Sequence, residues 1–449
     1  MKILRWYQKW MLLYCLTKAN PLLFVKMRLG KTLVVIRWLS AMFTGKHFIL
    51  VVAPFSALYS WQEELQDEGE CCVCLLEGMK QKRIALLERT LTSNNSGSTW
   101  VLVNPEAYRA FDIAAAAQWS VIVFDECTYL RNTRSSLYQY WSNAHAAIKV
   151  GMTGTPAPEG DHEYFGVCKL IEPDTFLEGS YYQFERANFG ILPNHKRMTN
   201  ARGANYISSR LAKYAYFLTR QDVNLGGETI EQIRYVKMPD KTRAIYKRVE
   251  KEFLLELPTE IKTTIFAMTK YIWLRHLCSG VIEQQQLDTA KADVLIDLLS
   301  GELAGEKVII WCHFIADLKV VQAAIMKHFK KEVDIVCGSV TPNRRNAIKK
   351  AFLSGEIDWF VCQPSCYRFG ADFSECDTMI YYCLPDSGLT WEQSRDRTID
   401  VSKRGSKHVI YLLTKDTVEV DIQKALVKKE NRQALTRRMV ASIQKRNKL

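Results

Sequence analysis

Gly30-Lys31-Thr32 and Asp125-Glu126 are the residues of this chain whose types and spacing suit chemistry on a phosphate. A glycine, a lysine and a hydroxyl in that order, at the mouth of a helix, make a cradle. The loop Met27-Arg28-Leu29-Gly30 brings backbone N–H groups up to the phosphates, and the glycine permits the close approach. Lys31 reaches the β and γ oxygens, and the Thr32 hydroxyl ligates Mg²⁺. The complete pattern has another glycine where Val25 stands, so the tripeptide alone does not decide between a phosphate loop and an ordinary turn. The acidic pair decides it. Two carboxylates are a costly way to end a buried strand unless they have a use. Beside a phosphate loop, Asp125 can hold the metal and Glu126 can polarise the attacking water.

Both groups need elements that bring them to one place. Short apolar runs bounded by polar or turn residues read as buried parallel strands at Leu22–Val25, Phe48–Ala53, Trp100–Val103, Val121–Phe124 and Lys149–Met152. Lys31 follows the first of them and opens a helix expected over Lys31–Met42, whose positive end faces the anion. Asp125 follows the fourth. Ligands of such sheets gather beyond the carboxyl ends of the strands, and both groups fall at that edge.

A second alternating block begins near Lys291. Its expected strands are Val308–Trp311, Val333–Val336, Asp358–Cys362, Met379–Cys383 and Val409–Leu413, with amphipathic helices at Ile315–Phe329 and Pro342–Leu353. The fold expected is α/β: two parallel-sheet lobes with a helical region between them. Their bounds are 1–160 for the first lobe, 161–290 for the region between, 291–423 for the second lobe and 424–449 for a basic tail. Within the middle region, 241–280 reads as continuously helical.

At 449 residues the chain is long enough for two or three domains. Its 48% hydrophobic and 24% charged content is that of a soluble globular protein. Its apolar runs are too short to cross a bilayer, and its start shows no secretion signal. Thirteen cysteines are scattered without zinc spacing, even where Cys71, Cys72 and Cys74 cluster. Reduced thiols and a cytoplasmic location are the expectation, in a host cytoplasm if the protein is viral. The net charge is +13, and residues 424–449 hold nine basic residues against the single acid Glu430. That imbalance favours a polyanion through counterion release, while Ile422, Leu426, Leu435, Met439 and Ile443 equally allow a solvated amphipathic helix.

With these residues assembled, the chain resembles the Swi/Snf-type double-stranded DNA translocases among the superfamily-two helicase-like ATPases, and in particular the small forms common in bacteriophage genomes. Leu4-Arg5-Trp6-Tyr7-Gln8 is similar to the entry motif, whose glutamine reads adenine. Val52-Ala53-Pro54 with Trp61 and Glu64 resembles a motif that grips a DNA strand, and Val103-Asn104-Pro105-Glu106 resembles the next. Asp125-Glu126-Cys127-Thr128 through Asn132 resembles the Mg²⁺ motif, and Thr153-Gly154-Thr155-Pro156 the one that couples the nucleotide site to the DNA groove. Leu218 to Val223 and Leu274 to Gly280 resemble the helical insert between the lobes. In the second lobe Lys307 to Phe314, Gly338 with Arg344 and Phe352, Gly370-Ala371-Asp372, and Gln393 to Arg397 follow in the family's order.

The resemblance implies ATP and Mg²⁺ as cofactors. It implies Gln8, Arg28, Leu29, Gly30, Lys31, Thr32, Gly370, Asp372 and Gln393 as nucleotide-binding residues. Thr32 and Asp125 would hold the metal, and Lys31, Asp125, Glu126 and Arg397 would be catalytic. Three positions depart from the pattern: Arg28 replaces glycine, Thr128 replaces histidine, and Asp400 stands where the final motif has its last arginine. Arg397, Arg395 or Arg404 is then left to neutralise charge on the γ-phosphate. The function implied is an ATP-driven translocase or remodeller of duplex DNA, acting as a monomer or with partner proteins. A strand-separating or RNA-directed helicase is the first alternative. A weakly catalytic or non-catalytic nucleic-acid-binding factor, which Asp400 keeps open, is the second.

Overall fold

The computed structural model describes residues 3–93, 96–191, 197–224, 228–252, 254–256, 261–263, 267–282, 285–367, 373, 375–396 and 406–428. The chain divides into two compact units, the first running to Leu225 and the second from Gly226 to Lys428.

The first unit is built on a seven-stranded sheet. Its strands are β1 (Leu22–Val25), β2 (Phe48–Val52), β3 (Val73–Leu75), β4 (Thr99–Val103), β5 (Val121–Asp125), β6 (Ile148–Thr153) and β7 (Ala215–Leu218). Their spatial order is β3-β4-β2-β5-β6-β1-β7, and every pairing is parallel. The runs Leu22–Val25, Thr99–Val103 and Val121–Asp125 are buried at every residue, because helices cover both faces of the sheet and leave no polar side. The core on one face gathers Phe24, Phe124 and Trp141, and the Phe124 and Trp141 rings meet edge to face at 5.6 Å. Three helices matter for the site: α1 (Trp6–Thr17), α2 (Lys31–Met42) and α3 (Phe55–Asp67).

The second unit carries a six-stranded, all-parallel sheet. It comprises β8 (Thr229–Val236), β9 (Val308–Trp311), β10 (Ile335–Val336), β11 (Trp359–Cys362), β12 (Thr378–Tyr381) and β13 (Lys407–Thr414). The order is β8-β13-β12-β9-β11-β10. Helices Ile315–Phe329 and Pro342–Ser354 lie between its strands in sequence, as the apolar spacing predicts. The two parallel-sheet lobes expected from the alternating pattern are therefore present.

The region 161–290 is shared between the units. Its first part ends in β7, an edge strand of the first sheet, and its second part supplies β8, an edge strand of the second. The stretch 241–280 is not one helix. Helices Asp240–Glu252 and Ala267–Cys278 flank a short antiparallel pair, Leu254–Glu256 with Ile261–Thr263. Pro258 and the β-branched run Thr259, Ile261, Thr263 and Thr264 account for the break, since proline lacks the N–H that a helix interior needs. All thirteen cysteines are free thiols. Among the described residues no helix is long and apolar enough to cross a membrane, and no cluster of metal-ligating side chains stands out. The tail beyond Lys428 lies outside the described residues.

Candidate active site

The loop after β1 folds as its glycine dictates. Gly30 sits at φ +74° and Arg28 at φ +65°, both left-handed. At Gly30 a side chain is excluded for a second reason: an added Cβ would lie 2.0 Å from Gln8 Nε2. Gln8, buried on the first turn of α1, is held at both ends. Its Oε1 accepts the Arg5 N–H at 2.8 Å, and its Nε2 donates to the Leu29 carbonyl at 3.4 Å. The glutamine expected to read adenine is thus locked to the loop expected to hold the phosphates.

The Lys31 ammonium donates to the Val25 carbonyl at 2.8 Å. An ammonium has three donors, so two remain for phosphate oxygens. Lys31 opens α2, and Thr32 is half-buried on the same turn. No side chain caps α2 and no acid occupies its first turn. Its leading N–H groups therefore keep their positive partial charge for an anion.

Asp125 is the last residue of β5 and Glu126 the first beyond it, at φ +47°. The Asp125 carboxylate accepts the Trp61 indole N–H on Oδ2 at 2.8 Å and the Glu126 backbone N–H on Oδ1 at 2.9 Å. Burial, and the neighbouring Glu126 charge, push the Asp125 carboxyl up to about 6; the Lys31 ammonium and the Trp61 bond work against them. Lys31 and Asp125, 94 positions apart in the chain, therefore share one electrostatic environment.

Glu126 is positioned by the strand next door. Thr153, the last residue of β6, donates its hydroxyl to Glu126 Oε2 at 3.0 Å. The Thr128 hydroxyl lies 2.9 Å from Thr153 Oγ1 and 2.8 Å from the Thr155 carbonyl, so the residue standing in place of histidine braces the same turn. Gly154 lets that turn touch the phosphate loop: a Cβ there would lie 3.3 Å from the Met27 nitrogen and 3.5 Å from the Val25 carbonyl oxygen. Strands β5, β6 and β1 are neighbours, so Asp125, Thr153 and the phosphate loop all leave the sheet at one edge.

The residues present fit a metal-bound triphosphate. A carboxylate has about four lone-pair positions, and Asp125 uses two of them within the protein. An uncapped helix start, a lysine with spare donors and a carboxylate with spare lone pairs supply what the phosphates and a divalent cation require.

In the second unit, Gln393 lies on the helix Gly388–Arg395 and is 1% exposed, and its buried Oε1 has no hydrogen-bond donor. Gly370, Asp372, Arg397 and Arg404 lie outside the described residues. Arg395, one of the three arginines that could neutralise the γ-phosphate, is engaged within its own unit. It pairs with Glu231 of β8 and covers the Trp391 ring with its guanidinium 4.5 Å from the ring centre.

Two contacts are invisible in the sequence. Trp61 stands there only as part of a DNA-gripping motif, yet its indole holds the Asp125 carboxylate, the one expected to hold the metal. Thr153 stands there as part of a coupling motif, yet it holds the carboxylate expected to act on water. A signal for Trp61 does exist: Leu58, Trp61 and Leu65 fall on one helical face, and the N–H of a buried tryptophan usually finds an acceptor.

Residues 6–286 match the family described as SNF2-related domain, and residues 290–402 the family described as helicase conserved C-terminal domain. The chain is 23% identical over 416 residues to the mouse chromodomain-helicase-DNA-binding protein 1-like, covering 88% of this chain and 45% of that protein. It is 30% identical over 172 residues to chromatin remodeling factor mit1 of Schizosaccharomyces pombe, covering 36% of this chain and 12% of that protein. The chain thus spans less than half the length of these curated relatives. Among solved structures, the Sulfolobus solfataricus SWI2/SNF2 ATPase core in complex with dsDNA aligns over 98% of this chain and 95% of that one, at 17% identity and a TM-score of 0.45.

Proposed function

The chain belongs to the SNF2-related domain family, and from that membership we propose that it is an ATP-hydrolysing motor that translocates on, or remodels, duplex DNA. The observation that carries this reading is that the loop opening uncapped α2 at Lys31 and the Asp125-Glu126 end of β5 leave one parallel sheet at the same edge, joined through Thr153 and Gly154.

The residues divide the work as follows. Gln8 fixes the base, and through Leu29 it ties base recognition to the loop. Gly30, Lys31 and the leading N–H groups of α2 hold the phosphates. Asp125 and the Thr32 hydroxyl would hold Mg²⁺, which when bound would neutralise charge on the phosphate oxygens. Glu126, aimed by Thr153, orients the attacking water and takes its proton. Engagement of Arg395 by Glu231 leaves Arg397 and Arg404, and the neutralisation of the γ-phosphate is assigned to Arg397, which stands in the family's final motif. The family resemblance assigns Gly370, Asp372 and Gln393 of the second lobe to nucleotide binding as well. Hydrolysis alternates the lobes between closed and open, and the alternation moves them along the DNA backbone. Contacts of that kind go mostly to phosphate and carry little sequence information. The net charge of +13 and the basic tail suit such a polyanion.

DNA stimulates turnover, duplex more than single strands or RNA. The region 161–290 and the tail 424–449 add grip. The chain is of the compact bacteriophage type and works in a reducing cytoplasm, in keeping with its thirteen free thiols. Asp400 favours one second reading, a binding factor with little turnover. Phosphate release measured alone and with duplex DNA, single strands and RNA separates these readings. The motor reading expects the largest stimulation from duplex DNA. Stimulation by RNA alone, or DNA binding without hydrolysis, would overturn it.

A further inference from the structure

We infer that Trp61 is a positioning residue for the nucleotide-bound metal: its indole N–H fixes the Asp125 carboxylate in the orientation that accepts the cation. The inference rests on the nucleotide-site reading above and deepens it.

The two oxygens of Asp125 are held differently. Oδ1 accepts the N–H of the very next residue, a local bond that follows the strand end wherever it goes. Oδ2 accepts the Trp61 indole at 2.8 Å across 64 positions of sequence. The terminal torsion of an aspartate is broad and nearly two-fold, so one local bond leaves the carboxylate plane poorly fixed. A second donor from a separate element fixes it. Trp61 is well suited to be that donor. Its indole offers one N–H and no acceptor, so it cannot compete for the cation. At 1% exposure it shares the buried face of α3 with Leu58 and Leu65. That helix starts directly beyond β2, the strand beside β5. A bond to an ionised carboxylate is also among the stronger hydrogen bonds a side chain makes. The remaining lone pairs of Asp125 are thereby presented in a fixed direction.

The test separates the donor from the packing. Benzothienylalanine placed at position 61 swaps the indole N–H for sulfur with little change of shape, and Trp61→Phe removes the donor with a smaller ring. Leu65→Ala removes buried volume one turn along α3 without touching Asp125. Mn²⁺ uptake is followed by electron paramagnetic resonance in the presence of a non-hydrolysable ATP analogue, and analogue binding is measured separately in EDTA. Loss of the donor should weaken Mn²⁺ about 10–100-fold, the usual cost of removing a partner of a metal ligand. Analogue affinity in EDTA should stay unchanged, and Leu65→Ala should lower the melting temperature while keeping Mn²⁺ affinity. Equal Mn²⁺ affinity in the wild type and both position-61 variants overturns the role of Trp61 alone, as does an equal loss in Leu65→Ala. A wild-type protein that binds the analogue but takes up no Mn²⁺ with it overturns the metal-site reading itself.

Discussion

The two sheets of this molecule handle charge in opposite ways. At the edge of the first, Lys31, Asp125 and Glu126 are each nearly buried, yet each is only partly satisfied by the protein. In the second unit two buried cations, Lys291 and Arg275, are paired with carboxylates. Lys291 donates to both oxygens of Glu419, at 2.6 and 2.8 Å, with neither side chain more than 2% exposed. Arg275, fully buried, is bound to Asp386 and to the Leu384 carbonyl. A charge bonded only to neutral groups, as at this edge, is equipped for a charged ligand, and a charge paired with an opposite one serves architecture. Burial alone does not tell the two apart; the presence of an opposite charge within bonding distance does.

Breaking the first arrangement should cost activity and little stability. Lys31→Ala should lower phosphate release by at least about 10²–10³-fold, the scale of losing one fixed donor to a reacting oxyanion. DNA binding and the melting curve should hardly change. Glu126→Gln should lower turnover about 10²–10⁴-fold while nucleotide binding persists. Turnover surviving either change would show that the chemistry is placed elsewhere.

Breaking the second arrangement should do the reverse. Lys291→Ala leaves Glu419 buried without its partner and should cost about 3–5 kcal/mol of unfolding free energy. The double change Lys291→Met with Glu419→Leu should recover most of that loss, because an apolar pair avoids desolvation altogether. Chemical denaturation of the three proteins reads both outcomes. If the double variant is as unstable as the single one, the pair does more than fill space.

Gly154→Ala tests the seam between the phosphate loop and the turn that holds Glu126. The neighbours are backbone atoms at 3.3 and 3.5 Å, so the loop must give by a few tenths of an ångström. Nucleotide affinity should fall several-fold, about 1 kcal/mol on the scale of overpacking, and equilibrium binding checks it.

The smallest effect expected is one of pH in the second unit. Burial, with Arg275 beside it, pushes His313 down to about 4, against the pull of Asp386. The unfolded chain protonates this histidine near its ordinary value and the folded chain does not. Stability is therefore highest above about pH 6.5 and falls as pH drops toward 4, by roughly 1 kcal/mol at pH 5 for a partly exposed ring. Urea midpoints at pH 7 and pH 5 should differ less in His313→Gln than in the wild type.

Much of this is legible in the residues. Continuous apolar runs mark the inner strands of both sheets, and the spacing after Gly30 marks α2 at its observed bounds. What escapes depends on tertiary partners. β8 alternates exposed Glu231, Ile233 and Tyr235 with half-covered residues, so it reads as surface until β13 pairs with it. Arg275 stands in the sequence only as part of an insert motif, and its partner Asp386 arrives from 111 positions away. Trp61 reads as part of a motif for DNA, and only the bond from α3 to the end of β5 shows which acceptor its N–H meets. Arg395 is one candidate among three until Glu231, also on β8, engages it.

Displacement of a third strand from a triplex on duplex DNA tests the central claim most directly. If closure on ATP moves the protein along DNA, the third strand should be released when ATP and Mg²⁺ are added, and retained in Lys31→Ala or with a non-hydrolysable analogue. A third strand that stays in place while the wild-type protein hydrolyses ATP on the same DNA would contradict the account.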